Sequence, residues 1–178
     1  MTARLIVFGV LAVGVTAGLS ILIYLLTYNK VTIGYNKGYQ PDQPIPYSHE
    51  LHAGQYKINC QYCHANVSVS RHATVPSLNI CMNCHLVVAT DKPAIKKLSE
   101  AYFKNESIAW NKVNLLPDHV KFNHSAHILA GKQCSECHGP VETMKQVYQY
   151  SSLGMGFCVN CHRKPENHAP VTCGTCHY

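Results

Sequence analysis

Every cysteine in the 178-residue chain falls in one repeated arrangement, Cys-x-x-Cys-His. The copies are Cys60, Cys63 and His64; Cys81, Cys84 and His85; Cys134, Cys137 and His138; Cys158, Cys161 and His162; and Cys173, Cys176 and His177. Here two thiols can add to the vinyl groups of a haem while the adjacent imidazole ligates its iron as the proximal ligand. Five motifs use all ten cysteines, which implies five covalently bound c-type haems. Zinc would ask for Cys-x-x-Cys pairs without a fixed trailing histidine. A disulfide framework would not repeat this unit, and dithiol redox chemistry needs one pair rather than five.

Twelve histidines less the five in the motifs leave seven: His49, His52, His72, His119, His124, His127 and His168. Five sixth ligands are needed, so no iron is forced to keep an open position, and electron transfer is favoured over chemistry at iron. A multihaem reductase acting on a small oxyanion is disfavoured further, because such enzymes often place Lys at the motif His and none of these motifs does. In His49-x-x-His52 and His124-x-x-His127 the side chains sit on neighbouring helical positions, about 5 to 6 Å apart at Cβ, too close to ligate opposite faces of one iron. Each pair must therefore serve two haems and draw them close together. His72 is the candidate for the Cys81 haem. No histidine lies between His138 and Cys158, but Met144 and Met155 do. Met144 either ligates the Cys158 haem, where a thioether would raise the potential, or packs against porphyrin. His119 reads as a plain loop residue, and His168 as either ligand or surface.

The formal net charge is +6, with 13% charged and 47% apolar residues. Five haems would bring ten propionates and lower that count to about −4 in the reduced protein, so the basic excess compensates propionates and no nucleic-acid partner is expected. Much of the apolar share sits in residues 5–28, LIVFGVLAVGVTAGLSILIYLLTY. At about 1.5 Å per residue this block is long enough to cross about 30 Å of hydrocarbon. It is too long for the apolar region of a cleaved signal peptide, and no small-residue cleavage site precedes Asn29. It reads as a transmembrane signal anchor in which Gly14 and Gly18 offer a close-packing face for another helix. Flanking charges do not settle its orientation. Because bacterial haem attachment occurs outside the cytoplasmic membrane, the N-terminus is expected in the cytoplasm and the haem domain on the periplasmic side.

The expected organisation is an anchor at 1–29, a Gly- and Pro-rich linker at 30–46, a two-haem module at 47–90, a connecting helix and loop at 91–121, and a three-haem module at 122–178. The modules share a repeat, with Tyr47-x-His49-x-x-His52 before Cys60 and Phe122-x-His124-x-x-His127 before Cys134. In the connector, Asp91 is placed to cap a helix with Pro93 in its first turn and Ile95, Leu98 and Tyr102 along one face. About 30 residues per haem leave no room for an ordinary core, so short helices around the attachment sites, much irregular chain and a core of porphyrin faces are expected. The fold class is thus mainly α with much irregular chain, one N-terminal transmembrane helix followed by a multihaem domain. Without haem the chain should not fold.

The ligation pattern resembles that of small multihaem cytochromes of the c3 and c7 type. That resemblance implies that His49 serves the Cys60 haem and His124 the Cys134 haem, while His52 and His127 reach other haems, that of Cys173 being the partner for His127. The strings YSHELHAGQYKINCQYCH, LNICMNCH, FNHSAHILAGKQCSECHGPVETM and SSLGMGFCVNCHR, behind one N-terminal helix, resemble the pentahaem subunit of bacterial alternative complex III. This implies an electron-transfer subunit that passes quinol-derived electrons toward a periplasmic monohaem cytochrome c, a copper protein or a terminal oxidase. It also implies polytopic quinol-binding membrane subunits and an iron–sulfur subunit as partners. The competing expectation is a self-sufficient membrane-anchored quinol dehydrogenase feeding a periplasmic reductase.

Overall fold

Residues 2–28 and 36–178 are described by a computed structural model. A long, predominantly apolar stretch builds α1 (Thr2–Tyr28), in which Ile6–Thr27 is long and apolar enough to cross a membrane, at a mean hydropathy of 2.5. Two of its hydroxyls are satisfied within the helix, Thr27 Oγ1 donating to the Ile23 carbonyl at 2.7 Å and Thr16 Oγ1 to that of Val13 at 3.0 Å. That is the form a polar side chain takes where no water is available. Gly14 and Gly18 have nothing within 4 Å of a built Cβ, so the small-residue face of the helix is open. The helix belongs to a separate unit from the compact body, which begins at Asn36.

Residues 30–35 of the expected linker lie outside the described residues, and from Asn36 onward the segment is bound to the body. Gly38 N–H donates to the Gln149 carbonyl and Gln149 N–H to that of Tyr39, at 2.7 and 2.9 Å. Gln43 and Asn111 are doubly bonded, Gln43 Nε2 donating to the Asn111 carbonyl and Asn111 N–H to Gln43 Oε1, each at 2.9 Å. Ile45 is buried in a small apolar cluster with Met82 and Leu98. The linker composition, with three prolines, suggests an extended conformation but says nothing about what an extended chain docks against.

The body is a set of short helices joined by irregular chain, with no strand among the described residues. Each attachment motif forms one helix: α2 (Cys60–Cys63), α3 (Leu78–His85), α6 (Cys134–His138), α7 (Met155–His162) and α8 (Cys173–Cys176). Helix α5 (His124–Leu129) precedes α6. Local capping starts several of them: Asn59 accepts from Gln61 N–H, Asn123 from Ser125 N–H, and Gln133 and Glu136 form a reciprocal capping box. In the connector, α4 (Pro93–Phe103) starts one residue later than a cap at Asp91 would require. Lys92 occupies the N-cap without a side-chain bond, and Pro93 supplies the preset φ of the first turn. Leu98 is 5% exposed and packs with Met82, itself 1% exposed, while Ile95, Tyr102 and Trp110 flank them. The helix thereby braces α3 and its attachment site.

The two repeat copies differ by one residue. His52 precedes Cys60 by eight positions and His127 precedes Cys134 by seven. The first copy takes up the extra residue by winding Glu50–Gln55 as a π-helix, with Tyr56 N–H bonded to the Leu51 carbonyl, whereas the second winds as α. Gly54 is required in that turn, because a side chain there would collide with the backbone carbonyl of Glu142.

Candidate haem-binding centre

The ten thiols are free and lie in short helical turns, so the two cysteines of each motif, three positions apart, share a face. Four of the five motif histidines are aimed by a backbone carbonyl. His64 Nδ1 donates to Thr74 at 2.6 Å, His85 Nδ1 to Val88 at 3.0 Å, His162 Nδ1 to Pro170 at 2.7 Å and His177 Nδ1 to His119 at 3.0 Å. Carbonyls only accept, so the proton is fixed on Nδ1 and the Nε2 lone pair is left for a metal. Thr74 carries out this role at φ 62°, in the left-handed region that a β-branched residue rarely adopts.

Three histidines outside the motifs are prepared in the same way. His52 Nδ1 donates to Ser48, His124 Nδ1 to Arg71 and His127 Nδ1 to Asn123, at 2.8, 2.9 and 2.8 Å. The aromatic residue of each repeat then braces both rings of its pair. Tyr47 lies edge-on to His49 at 4.8 Å and stacks on His52 at 4.5 Å. Phe122 lies edge-on to His124 at 4.8 Å and faces His127 at 4.4 Å.

Each of these rings is presented to a motif histidine. Ring centroids are 6.1 Å apart for His52 and His85, 6.4 Å for His124 and His138, 5.9 Å for His127 and His162, and 5.6 Å for His119 and His177. His49 neighbours His64: burial first, then the His64 and His52 charges, lower its pKa to about 4 and hold it in the neutral form that can ligate a metal. Its Nδ1 is buried without a hydrogen-bond partner. Burial, then His124 and His64, likewise lowers the pKa of His138.

Three expected ligands stand elsewhere. His72 is exposed and is replaced by His52 across from His85. His127 faces His162 of the Cys158 motif rather than the Cys173 motif. Met144 is 5% exposed and its carbonyl accepts from Glu50 N–H, so it packs where the two modules meet, and the side chain across from His162 is that of His127. His119, read as a loop residue, stands across from His177, while His168 is exposed in a left-handed turn. The only hint of His119 in the sequence is the arithmetic of seven spare histidines for five places.

The spacing fits a haem iron between two imidazoles. A metal–nitrogen bond of about 2 Å on each side, with about 1 Å from nitrogen to ring centre, puts centroids on opposite faces of one ion about 6 Å apart. Among the described residues no group of three or more His, Cys, Asp or Glu side chains is gathered to hold a bare metal ion.

Residues 120–178 match the family described as cytochrome c7 and related cytochrome c. This segment is a cytochrome c7-type domain. Such domains carry covalent c-type haem, in agreement with the three motifs and the two pairs of facing imidazoles, His124 with His138 and His127 with His162, found within it. Over 166 residues, 78% of this chain and 78% of the relative, the sequence is 29% identical to the multihaem cytochrome c subunit of menaquinone reductase from Nitratidesulfovibrio vulgaris.

Proposed function

We propose that the chain is the electron-transfer subunit of a membrane quinone-linked oxidoreductase and holds five c-type haems, each between two histidines. The observation that carries this reading is the set of facing ring pairs, each joining one motif histidine to one histidine from outside the motifs. The histidines that would hold the five haems are His49 with His64, His52 with His85, His124 with His138, His127 with His162 and His119 with His177. Each haem, when bound, supplies a one-electron iron couple. These residues would hold each iron from both sides and leave no position for a small-molecule ligand, and at seven of the ten rings a backbone carbonyl keeps the proton on Nδ1. Potentials are then set by uniform imidazole ligation and by local burial rather than by a thioether.

In this reading α1 anchors the chain with its N-terminus in the cytoplasm and the haem body on the periplasmic side. Electrons derived from quinol in polytopic subunits, beside an iron–sulfur subunit, pass through the body toward a monohaem cytochrome c, a copper protein or a terminal oxidase, as in alternative complex III. The likeness to a menaquinone reductase subunit favours a second reading, in which the same haems carry electrons the other way, into menaquinone.

The test is purification in mild detergent through a tag on this chain, identification of co-purifying subunits by mass, and reduction of the haems by menaquinol or by a reduced periplasmic cytochrome. Polytopic and iron–sulfur subunits with haem reduction by menaquinol support the first reading. Reduction only by the cytochrome, with transfer to menaquinone, supports the second. A lone subunit that oxidises quinol would instead make the chain a quinol dehydrogenase in itself.

A further inference from the structure

The modules grip each other reciprocally. Helix α5 of the second repeat docks on the segment after the first motif, His124 and Ser125 N–H donating to the Arg71 and Ser70 carbonyls at 3.2 Å each. The π turn of the first repeat docks on the segment after the third motif, with Glu50 N–H bonded to the Met144 carbonyl at 3.0 Å and Gly54 seated against Glu142. Equivalent parts of the two copies thus make equivalent contacts, the self-complementary arrangement that a two-fold axis generates between subunits, here within one chain.

We propose that the five attachment sites stand in the spatial order Cys81, Cys60, Cys134, Cys158, Cys173, with the first four forming two copies of one two-site unit joined head to head at Cys60 and Cys134, and the fifth added at one end. The inference rests on the reading of these motifs as haem sites.

Each link has its own observation. Between the Cys81 and Cys60 sites, Asn83 Nδ2 donates to the Tyr62 hydroxyl at 3.0 Å, and His49 and His52, one turn apart, address His64 and His85. Between the Cys134 and Cys158 sites, His124 and His127 do the same for His138 and His162. At the junction, the Arg71 carbonyl just beyond the first motif orients His124, the ring facing His138, and the Cys60 and Cys134 side chains are near neighbours. The fifth site is tied to the fourth by His162 Nδ1 on the Pro170 carbonyl, and to the second module by Lys121 N–H on the Cys176 carbonyl at 2.8 Å.

The row therefore begins in the middle of the first module, doubles back, and crosses to the second. Its ends are the Cys81 and Cys173 sites, and a donor and an acceptor that use the whole row must approach those two ends.

Two measurements on the full-length haem-loaded chain test this. Anomalous scattering at the iron edge should give shortest iron-to-iron separations for the pairs Cys81–Cys60, Cys60–Cys134, Cys134–Cys158 and Cys158–Cys173. A shorter separation between the Cys81 and Cys134 irons than between the Cys60 and Cys134 irons overturns the order. The double variant C173A/C176A should lose one haem by mass, and redox titration followed by electron paramagnetic resonance should show a midpoint shift concentrated in one remaining haem. Comparable shifts in two haems would place the Cys173 site inside the row and overturn the order. Fewer than five haems on the unmodified chain would instead overturn the functional reading on which the order rests.

Discussion

His127 lies 5.9 Å from His162, ring centroid to ring centroid, although 35 residues separate them. Its neighbour one turn earlier, His124, lies 6.4 Å from His138. One helical turn of α5 thus addresses two attachment sites, and the Glu50–Gln55 turn repeats the arrangement with His52 and His85 at 6.1 Å. Because side chains three positions apart lie side by side, two irons held by such a pair would be drawn together without any further device.

Replacing His127 with alanine should empty one axial position. In the oxidised protein about one fifth of the iron should change from low-spin to high-spin ferric, read by electron paramagnetic resonance. His52→Ala and His119→Ala should do the same at their own sites, whereas His72→Ala and His168→Ala should leave all five haems low-spin. Loss of a low-spin signal in the His72 variant would remove His52 from the assignment.

Met144→Leu should leave every haem potential unchanged and cost less than about 1.5 kcal/mol of stability, because volume and apolar character are retained. Met144→Ala should cost about 2 to 5 kcal/mol through the cavity left between the modules. A drop in the potential of one haem in the leucine variant, followed by redox titration, would restore methionine as a ligand.

These two cases mark what local sequence can carry. The motifs, the pairing logic of each His-x-x-His and the helix of Ile95, Leu98 and Tyr102 are all set by spacing within a turn or two, and so are legible. Which iron a histidine reaches is a matter of tertiary return. His119 meets His177 because Lys121 N–H pairs with the Cys176 carbonyl 55 residues later, and no periodicity encodes that. Met144 falls in a stretch without histidine and so reads as a ligand candidate, yet its side chain is buried and its carbonyl is bonded by Glu50 from the other module. The c3- and c7-type resemblance gave His127 to the Cys173 haem, but α5 presents it one turn from His124, toward the next motif along the chain.

The aromatic braces provide a third prediction. Phe122→Ala removes a ring in contact with both His124 and His127, and Tyr47→Ala does the same for His49 and His52. Each should cost about 3 to 5 kcal/mol. If the haem irons still hold both axial ligands, the low-spin signals of the two affected haems should broaden, because the imidazole planes lose their packing stop. The other three should keep their line shapes in the same spectrum.

A chain with all ten cysteines changed to alanine should not fold cooperatively. Its buried apolar residues are few, chiefly Ile45, Val67, Met82, Leu98, Ala101 and Met144. A core of that size cannot offset a backbone ordering cost of about 1 to 2 kcal/mol per residue. Thermal melts of the body followed by circular dichroism should show a broad, shallow transition, in contrast to a sharp one in the haem-loaded protein. A sharp transition in the alanine chain would mean that the polypeptide alone specifies the fold.

Gln149 is the most deeply buried polar side chain, at 0% exposure, and all its polar atoms are used. Nε2 donates to the Ser151 and Ser152 carbonyls at 3.1 and 3.3 Å, Oε1 accepts from Leu115 N–H at 3.2 Å, and its backbone holds Gly38 and Tyr39. Leucine at this position would keep most of the volume but leave Leu115 N–H and the serine carbonyls without partners, at about 1 to 3 kcal/mol for each buried group not reached by water. Gln149→Glu retains the acceptor for Leu115 but turns a donor toward two carbonyls into a charge, so it should be the more damaging of the two. Hydrogen exchange should rise first at Leu115 and then at Gly38 and Gln149, because the strand-like segment after the anchor is held to the body at that point. Unchanged protection at Gly38 in both variants would show that the Gln43–Asn111 bonds hold the segment without help from Gln149.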